Sequence, residues 1–359
     1  MDVFRSASRR RLQLFFFLAS LELFPLPSLL GPIECLARDN VSQGAMDAPP
    51  LIVDPDAPTV NLVIASLRKD DISWTNHLRI PNLRVIRYVS DADADFTPPV
   101  PKKGREALIY HTYFHEFYDD LPDISIMIHA HEDPWHIEGV LRQSMLFTLS
   151  QLDLYWVKWR QYANLRVSWE NACPDWINTT KTPKESEKQE EPFMREAFQA
   201  NFGPVNVPEI LAGPCCSQFA VTREAVRRNP KDQYKRSMDW LVQTGWTDYI
   251  AGRTWEHMFQ WLFTGLPTDC PIEWKAYCRM YHICFENPAA PARVNALWQE
   301  RKALMEDIEF GRELLNPQRG HKARKRMTEI ERVVHAEIAV ALDRGKKEEN
   351  RAVGDLFAP

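Results

Sequence analysis

The chain has 359 residues, 45% apolar and 11% aromatic, enough to bury a sizeable core and too many for a disordered polypeptide. Its formal net charge is −5 with both signs mixed along the chain, so no concentrated basic face marks a nucleic-acid partner. Glycine is scarce at 13 residues, and the absence of a Walker sequence or a GxGxxG run excludes a glycine-rich phosphate loop.

Arg5, Arg9, Arg10 and Arg11 precede an apolar stretch from Leu12 to about Leu30, interrupted by Glu22, Pro25 and Pro27. A positive flank before an apolar run is the pattern of a secretory signal or a type II signal anchor. Leu12 to Leu21 is shorter than the roughly 20 residues of a spanning helix, and Cys35-Leu36-Ala37 offers small residues for cleavage. Residues 1–37 therefore read as a cleaved signal peptide or a retained anchor, the latter reaching the membrane through residues 12–30. A buried core helix fits less well, because four arginines flank the run and no amphipathic period is visible. The address is the secretory pathway: ER or Golgi lumen, type II membrane, or secreted. Residues 38–58 are rich in Asp, Ala and Pro and read as a flexible stem carrying the sequon Asn40-Val41-Ser42. A second sequon, Asn178-Thr179-Thr180, falls in a polar stretch further on.

Residues 59–290 carry the predicted α/β domain. Val60 to Ser66, Leu83 to Val89 and Ile124 to Ile128 have strand length and composition. Between them, Arg105 to Asp119 places Ala107, Tyr110, His111, Phe114 and Tyr118 on one helical face, and Ile137 to Leu152 predicts another helix. This alternation predicts a mainly parallel sheet flanked by helices. Lys181 to Glu191 reads as a mobile charged insertion, Gln218 to Val221 as a short strand, and Tyr234 to Thr244 and Arg253 to Phe263 as helices. Residues 291–359 form a helical charged tail, with an amphipathic helix over Val294 to Leu315, a basic run from His321 to Arg326, and a last helix around Ile330 to Leu342. Cys35 lies beside the address segment; Cys173, Cys215, Cys216, Cys270, Cys278 and Cys284 are six pairable thiols, without the paired C-x-x-C spacing of a zinc site.

Four constellations could carry chemistry. His129-x-His131, with Glu132, Asp133 and His136 beyond, follows a strand, where residues two apart point the same way, so His129, His131 and Asp133 are candidate metal or phosphate ligands. Asp91, Asp93 and Asp95 form a D-x-D string that suits a hard cation, Mn or Mg, bridging a nucleotide-sugar diphosphate, or a plain solvated loop. Glu256, with Arg253 on the same aromatic-backed helix, is a candidate base toward an attacking hydroxyl; the alternative is an exposed helical ion pair. Lys102-Lys103-Gly104-Arg105 at a helix start offers cations to an anion.

Cys215 to Val226 (CCSQFAVTREAV), Ile124 to His136 ending in H-A-H-x-x-x-W-H, Tyr162 to Arg166 and Gly252-Arg-Thr-Trp-Glu256 resemble a large, mostly fungal family known as domain of unknown function 3431, over about Val60 to Cys284. Pro101-Lys-Lys-Gly-Arg-Glu106 departs from that family's usual P-N-K-G-x-E. The layout also looks like the GT-A glycosyltransferases. That resemblance implies a nucleotide-sugar donor and a glycan acceptor, with His129-x-His131 in place of the metal-binding D-x-D and Glu256 as the acceptor-side base. Lys103, Arg105, Asp91, Asp93, Arg223 and Arg253 are then candidate cofactor contacts. Two other functions remain open: a catalytically silent secreted module binding glycan or protein, and a metal-dependent hydrolase using the HxHxD cluster, for which Pro134 stands where that ligand set wants histidine.

Overall fold

A computed structural model describes residues 52–185, 187–203, 206–308 and 317–357. The predicted address segment, the first sequon, Cys35 and nearly all of the stem lie outside the described residues. Among those described, no helix is long and apolar enough to cross a membrane.

The apolar residues Leu62, Val63 and Ile64 at the centre of β1 (Val60–Ser66) are buried on both faces, as a central strand of an α/β sheet requires. β1 pairs in parallel with β2 (Leu83–Val89) on one edge and with β3 (Ile124–His129) on the other. The chain returns through α1 (Arg105–Glu116) between β2 and β3. Next come α2 (Met145–Gln151), α3 (Leu154–Arg160) and β4 (Tyr162–Asn164), then β5 (Ile177–Asn178), α4 (Met194–Phe202) and β6 (Ile210–Leu211). β7 (Phe219–Thr222) enters the sheet antiparallel to β3 and β4, giving the order β2-β1-β3-β7-β4; β5 and β6 make a separate two-stranded pair. The sheet is mostly parallel, as the alternation of elements predicts.

Alternation along the strands sorts the core into two layers. Val63, Ile86, Tyr88 and Met127 face α1, α4 and four later helices: α5 (Arg223–Arg227), α6 (Lys231–Gln243), α7 (Asp248–Glu256) and α8 (Phe259–Thr264). Val60, Leu62, Ile64, Ile124, Ile126 and Ile128 face α2, α3 and α9 (Glu273–Tyr281), together with the tail helices α10 (Ala289–Asp307) and α11 (Pro317–Gly345). Val294, Trp298, Ile330, Val334 and Ile338 seat the tail in that layer, while His321, Lys322 and Lys325 of the basic run stay exposed.

Four predicted elements differ, one of them in the tail, where α11 takes in the basic run from His321 to Arg326 instead of starting beyond it. The helix expected over Ile137 to Leu152 is broken because Arg142 and Gln143 take left-handed φ values of 56° and 50°; only α2 remains as an α-helix. The helix expected over Arg253 to Phe263 splits after Glu256, where Met258 N bonds to Trp255 O and the His257 ring turns to Glu190. The charged insertion is not a solvated loop throughout, since Glu190 and Glu191 are fully buried. The six cysteines pair as Cys173–Cys270, Cys215–Cys216 and Cys278–Cys284.

Gly139 marks a tight joint between tail and domain: a Cβ there would lie 2.3 Å from Trp298 Cβ. Gly139→Ala should therefore cost about 1–3 kcal/mol by overpacking, read as a lower denaturant midpoint. A midpoint equal to that of the native chain would mean that α10 does not rest on this turn.

Candidate functional site

The chain leaves β1 toward β2 on one side and later crosses to β3 on the other, so a crevice opens beyond the carboxyl ends of β1 and β3, the usual ligand position in open α/β sheets. A shallow depression of about 260 Å³ lies there, lined by Ser66, Leu67, Ser90, Arg105, His129 and His131 among others. Arg105, Glu106 and His129 also line a deeper cleft of about 370 Å³, so the two cavities share a wall. The cleft continues to Glu138, Arg166, the Cys215–Cys216 bridge, Arg253 and Glu256.

His129 is the last residue of β3 and is pinned by Gln218, which sits just ahead of β7. Gln218 Oε1 accepts from His129 N at 3.0 Å, and Gln218 Nε2 lies 2.6 Å from His136 Nε2. A backbone N–H only donates, so the first contact fixes which end of the amide is oxygen. The amide nitrogen is then the donor to His136, whose own proton sits on Nδ1. Burial holds the His136 pKa down at about 3 and lowers that of His129, so both rings are neutral at neutral pH. His129 Nε2 is buried without a hydrogen-bond partner.

Glu256 ends α7, opposite the start of α1. Gly252 permits this approach, since a Cβ there would press on Arg105 Cδ, Cβ and Cγ at 3.1–3.3 Å. At the start of α1, Gly104 (φ 63°) donates its N–H to Asp248 Oδ1 at 3.0 Å. Burial, and then the Glu106 carboxylate, push the Glu256 pKa up to about 8 against the pull of Arg253 and Arg105. Arg253 does not form the expected helical ion pair with Glu256. Its Nε and Nη2 donate to the two oxygens of Glu190 at 2.8 Å each, and His257 Nε2 lies 2.9 Å from Glu190 Oε1. Despite its burial, these hydrogen bonds and charges hold Glu190 down at about 2.

A family model described as a protein of unknown function (DUF3431) matches residues 62–279, more than half of the chain. The chain belongs to this family. Comparison with curated proteins and with solved structures found no match. The DUF3431 span contains Arg105, Glu106, His129, Glu138, Arg166, Arg253 and Glu256, and with them most of the cleft.

Of the residues singled out in the sequence, the structure brings Arg105, His129, His136, Arg253 and Glu256 to the cleft. His131 is exposed and lines only the shallow depression; Asp133 is exposed and lines neither cavity. The reason is that β3 ends at His129, so the two-residue alternation that would aim His131 and Asp133 the same way stops there. Among the described residues no group of three His, Cys, Asp or Glu is placed to hold a metal ion. Asp91 spends one oxygen on Arg68 N at 2.7 Å, and Asp93 lines neither cavity. Lys103 is held on Asp248 at 3.3 Å, and Arg223 lies at the amino end of β3 on Leu121 O and Asp123, away from the cleft.

Sequence reasoning passed over Glu106, Glu138, Arg166, Glu190 and Gln218. Glu106, Arg166 and Gln218 sit inside motifs already noted; Glu138 and Glu190 carry no sequence signal. Because Glu190 is depressed below its unfolded value near 4.5, its stabilisation is present above that value and is lost as pH falls toward about 2. The native chain should thus lose on the order of 3 kcal/mol relative to Glu190→Gln between about pH 5 and pH 2. Denaturant midpoints of the two chains measured across that range would check this.

Proposed function

We propose that this domain is a lumenal glycosyltransferase-like enzyme that moves a glycosyl group from a sugar nucleotide to an acceptor hydroxyl. One observation carries the reading: a cavity at the strand-order reversal shares Arg105, Glu106 and His129 with a cleft that holds Glu256, a carboxyl with a strongly raised pKa. The nucleoside would occupy the shallow depression. Arg105 and the free N–H groups at the start of α1 would meet the diphosphate. The acceptor oxygen attacks the anomeric carbon, the bond from that carbon to the diphosphate oxygen breaks with its electron pair, and the acceptor proton passes to Glu256. His129, neutral and with Nε2 unpartnered, would contact the transferred sugar or the leaving oxygen. His129, His131 and Asp133 do not fit a bound Mn or Mg, so no step is assigned to a metal. Three disulfides suit an oxidising lumen, in keeping with the secretory address.

A thermal-shift screen of the full chain against UDP- and GDP-sugars, with and without Mn²⁺, tests the reading. One nucleotide should raise the midpoint by several degrees, and Arg105→Ala should abolish the rise. A flat screen would leave a silent binding module as the better account.

With the donor known, Glu256→Gln should lower kcat about a hundredfold to ten-thousandfold while leaving the donor KM near native. The native rate should rise with pH through about 8, as the Glu256 base becomes ionised, and the variant should lose that limb. A native profile flat across this range would remove Glu256 as the base.

A further inference from the structure

The transfer chemistry uses only the inner part of the cleft. The outer part has three unusual features. Trp135 projects into solvent at 69% exposure, although it lies on the cleft wall beside the His136 ring. Glu138 is 9% exposed; its Oε1 accepts from Val167 N, Ser168 N and Tyr277 OH at 2.8–3.2 Å, yet its Oε2 is buried with no partner. Arg166 is 7% exposed; Nη1 contacts Cys215 Sγ at 2.7 Å and Nη2 donates to Glu170 O at 3.0 Å, yet its Nε is buried with no partner.

A buried polar atom without a partner costs about 1–3 kcal/mol, and more when charged. Here one is an acceptor and the other a donor, and both belong to residues of the same cleft wall. A ligand that satisfies both must offer a donor and an acceptor at once, as hydroxyl groups do. The ionisable side chains around them are balanced between Glu138 and Glu170 on one side and Arg166 and Lys302 on the other, which favours a ligand without net charge. An exposed indole suits the apolar face of a pyranose ring.

We infer that the outer cleft is a binding site for neutral carbohydrate. A sugar ring stacks on Trp135, one hydroxyl donates to Glu138 Oε2 and another accepts from Arg166 Nε. The cleft volume of about 370 Å³ limits it to a short stretch of glycan. Its role as the acceptor end rests on the transferase reading above; the binding itself does not.

Ligand-observed saturation-transfer NMR on the full chain tests the site with maltose, cellobiose, mannobiose and N,N′-diacetylchitobiose, and with glycylglycine as a zwitterionic competitor. At least one disaccharide should receive saturation, and Trp135→Ala should weaken it about tenfold or more. Glu138→Gln should weaken it similarly. Because Glu138 also anchors two backbone N–H groups, the exposed Trp135→Ala variant keeps the test sound if Glu138→Gln fails to fold. Absence of transfer to all four disaccharides would overturn the inference. So would undiminished binding in folded Trp135→Ala, or displacement of the sugar by glycylglycine. Disaccharide binding without sugar-nucleotide binding would leave this site standing and remove the transferase reading; the reverse result would do the opposite.

Discussion

A carboxylate buried as completely as that of Glu190 must be paired or protonated. Arg253 meets both of its oxygens and His257 meets one of them, so three residues from two distant segments are tied together. The consequence reaches the cleft. The guanidinium that sequence spacing offers to Glu256 is committed to Glu190. Glu256 is left with burial and the Glu106 carboxylate raising its pKa, and only the more distant attraction of Arg253 and Arg105 lowering it. The same pairing explains why the helix stops at Glu256: His257 turns inward to reach Glu190, and the next helix starts at Phe259. Burial, and then the Glu106 carboxylate, hold the Glu256 carboxyl up, and the Glu190–Arg253 pair keeps the nearest guanidinium from bonding to it.

Gln218 plays a comparable part on the opposite wall. It stands next to β3 because β7 joins the sheet there, antiparallel to its neighbours. One side chain then holds the backbone at the end of β3 and the ring of His136 together, and stands the two imidazoles edge to face at 5.1 Å. Both rings are kept neutral by burial. Neutral imidazoles add no positive charge to the cleft, so its cationic side is made by arginines and Lys302.

β1, β2, β3 and β7, the first helix and the position of His129 were legible from residue period and composition, because apolar runs of strand length and a 3.6-residue apolar stripe each have one good solution. The short β4, β5 and β6 were not. The place of Glu256 was legible because it lies with Arg253 on an aromatic-backed helical segment. His131 shares only the shallow depression with His129, and Asp133 lines neither cavity, since strand alternation holds only while the strand lasts. Glu190 was not legible at all. Lys181 to Glu191 has the composition of a solvated segment, and burial of two of its carboxylates depends on Asn178, Arg253 and His257 supplied from elsewhere. Long-range polar pairing leaves no periodic trace in the chain.

The tail changes how the cleft is divided. The family match ends at residue 279, and the inner residues Arg105, Glu106, His129, Arg253 and Glu256 fall within it. Trp298, Gln299 and Lys302, which complete the outer wall, come from α10 beyond it. Trp298 also packs against Gly139 and donates its indole N–H to Gln143 at 3.0 Å, so α10 steadies the turn that carries Trp135 and Glu138. The inner cleft therefore lies within the family span, whereas the outer wall combines Trp135, Glu138 and Arg166 from that span with three residues from the tail. Sites that keep their chemistry on the sheet and their selectivity on added elements can vary the second without disturbing the first. On that logic the tail is part of the binding surface, and its removal would expose the apolar face formed by Val140, Leu141 and Tyr277 as well as open the cleft.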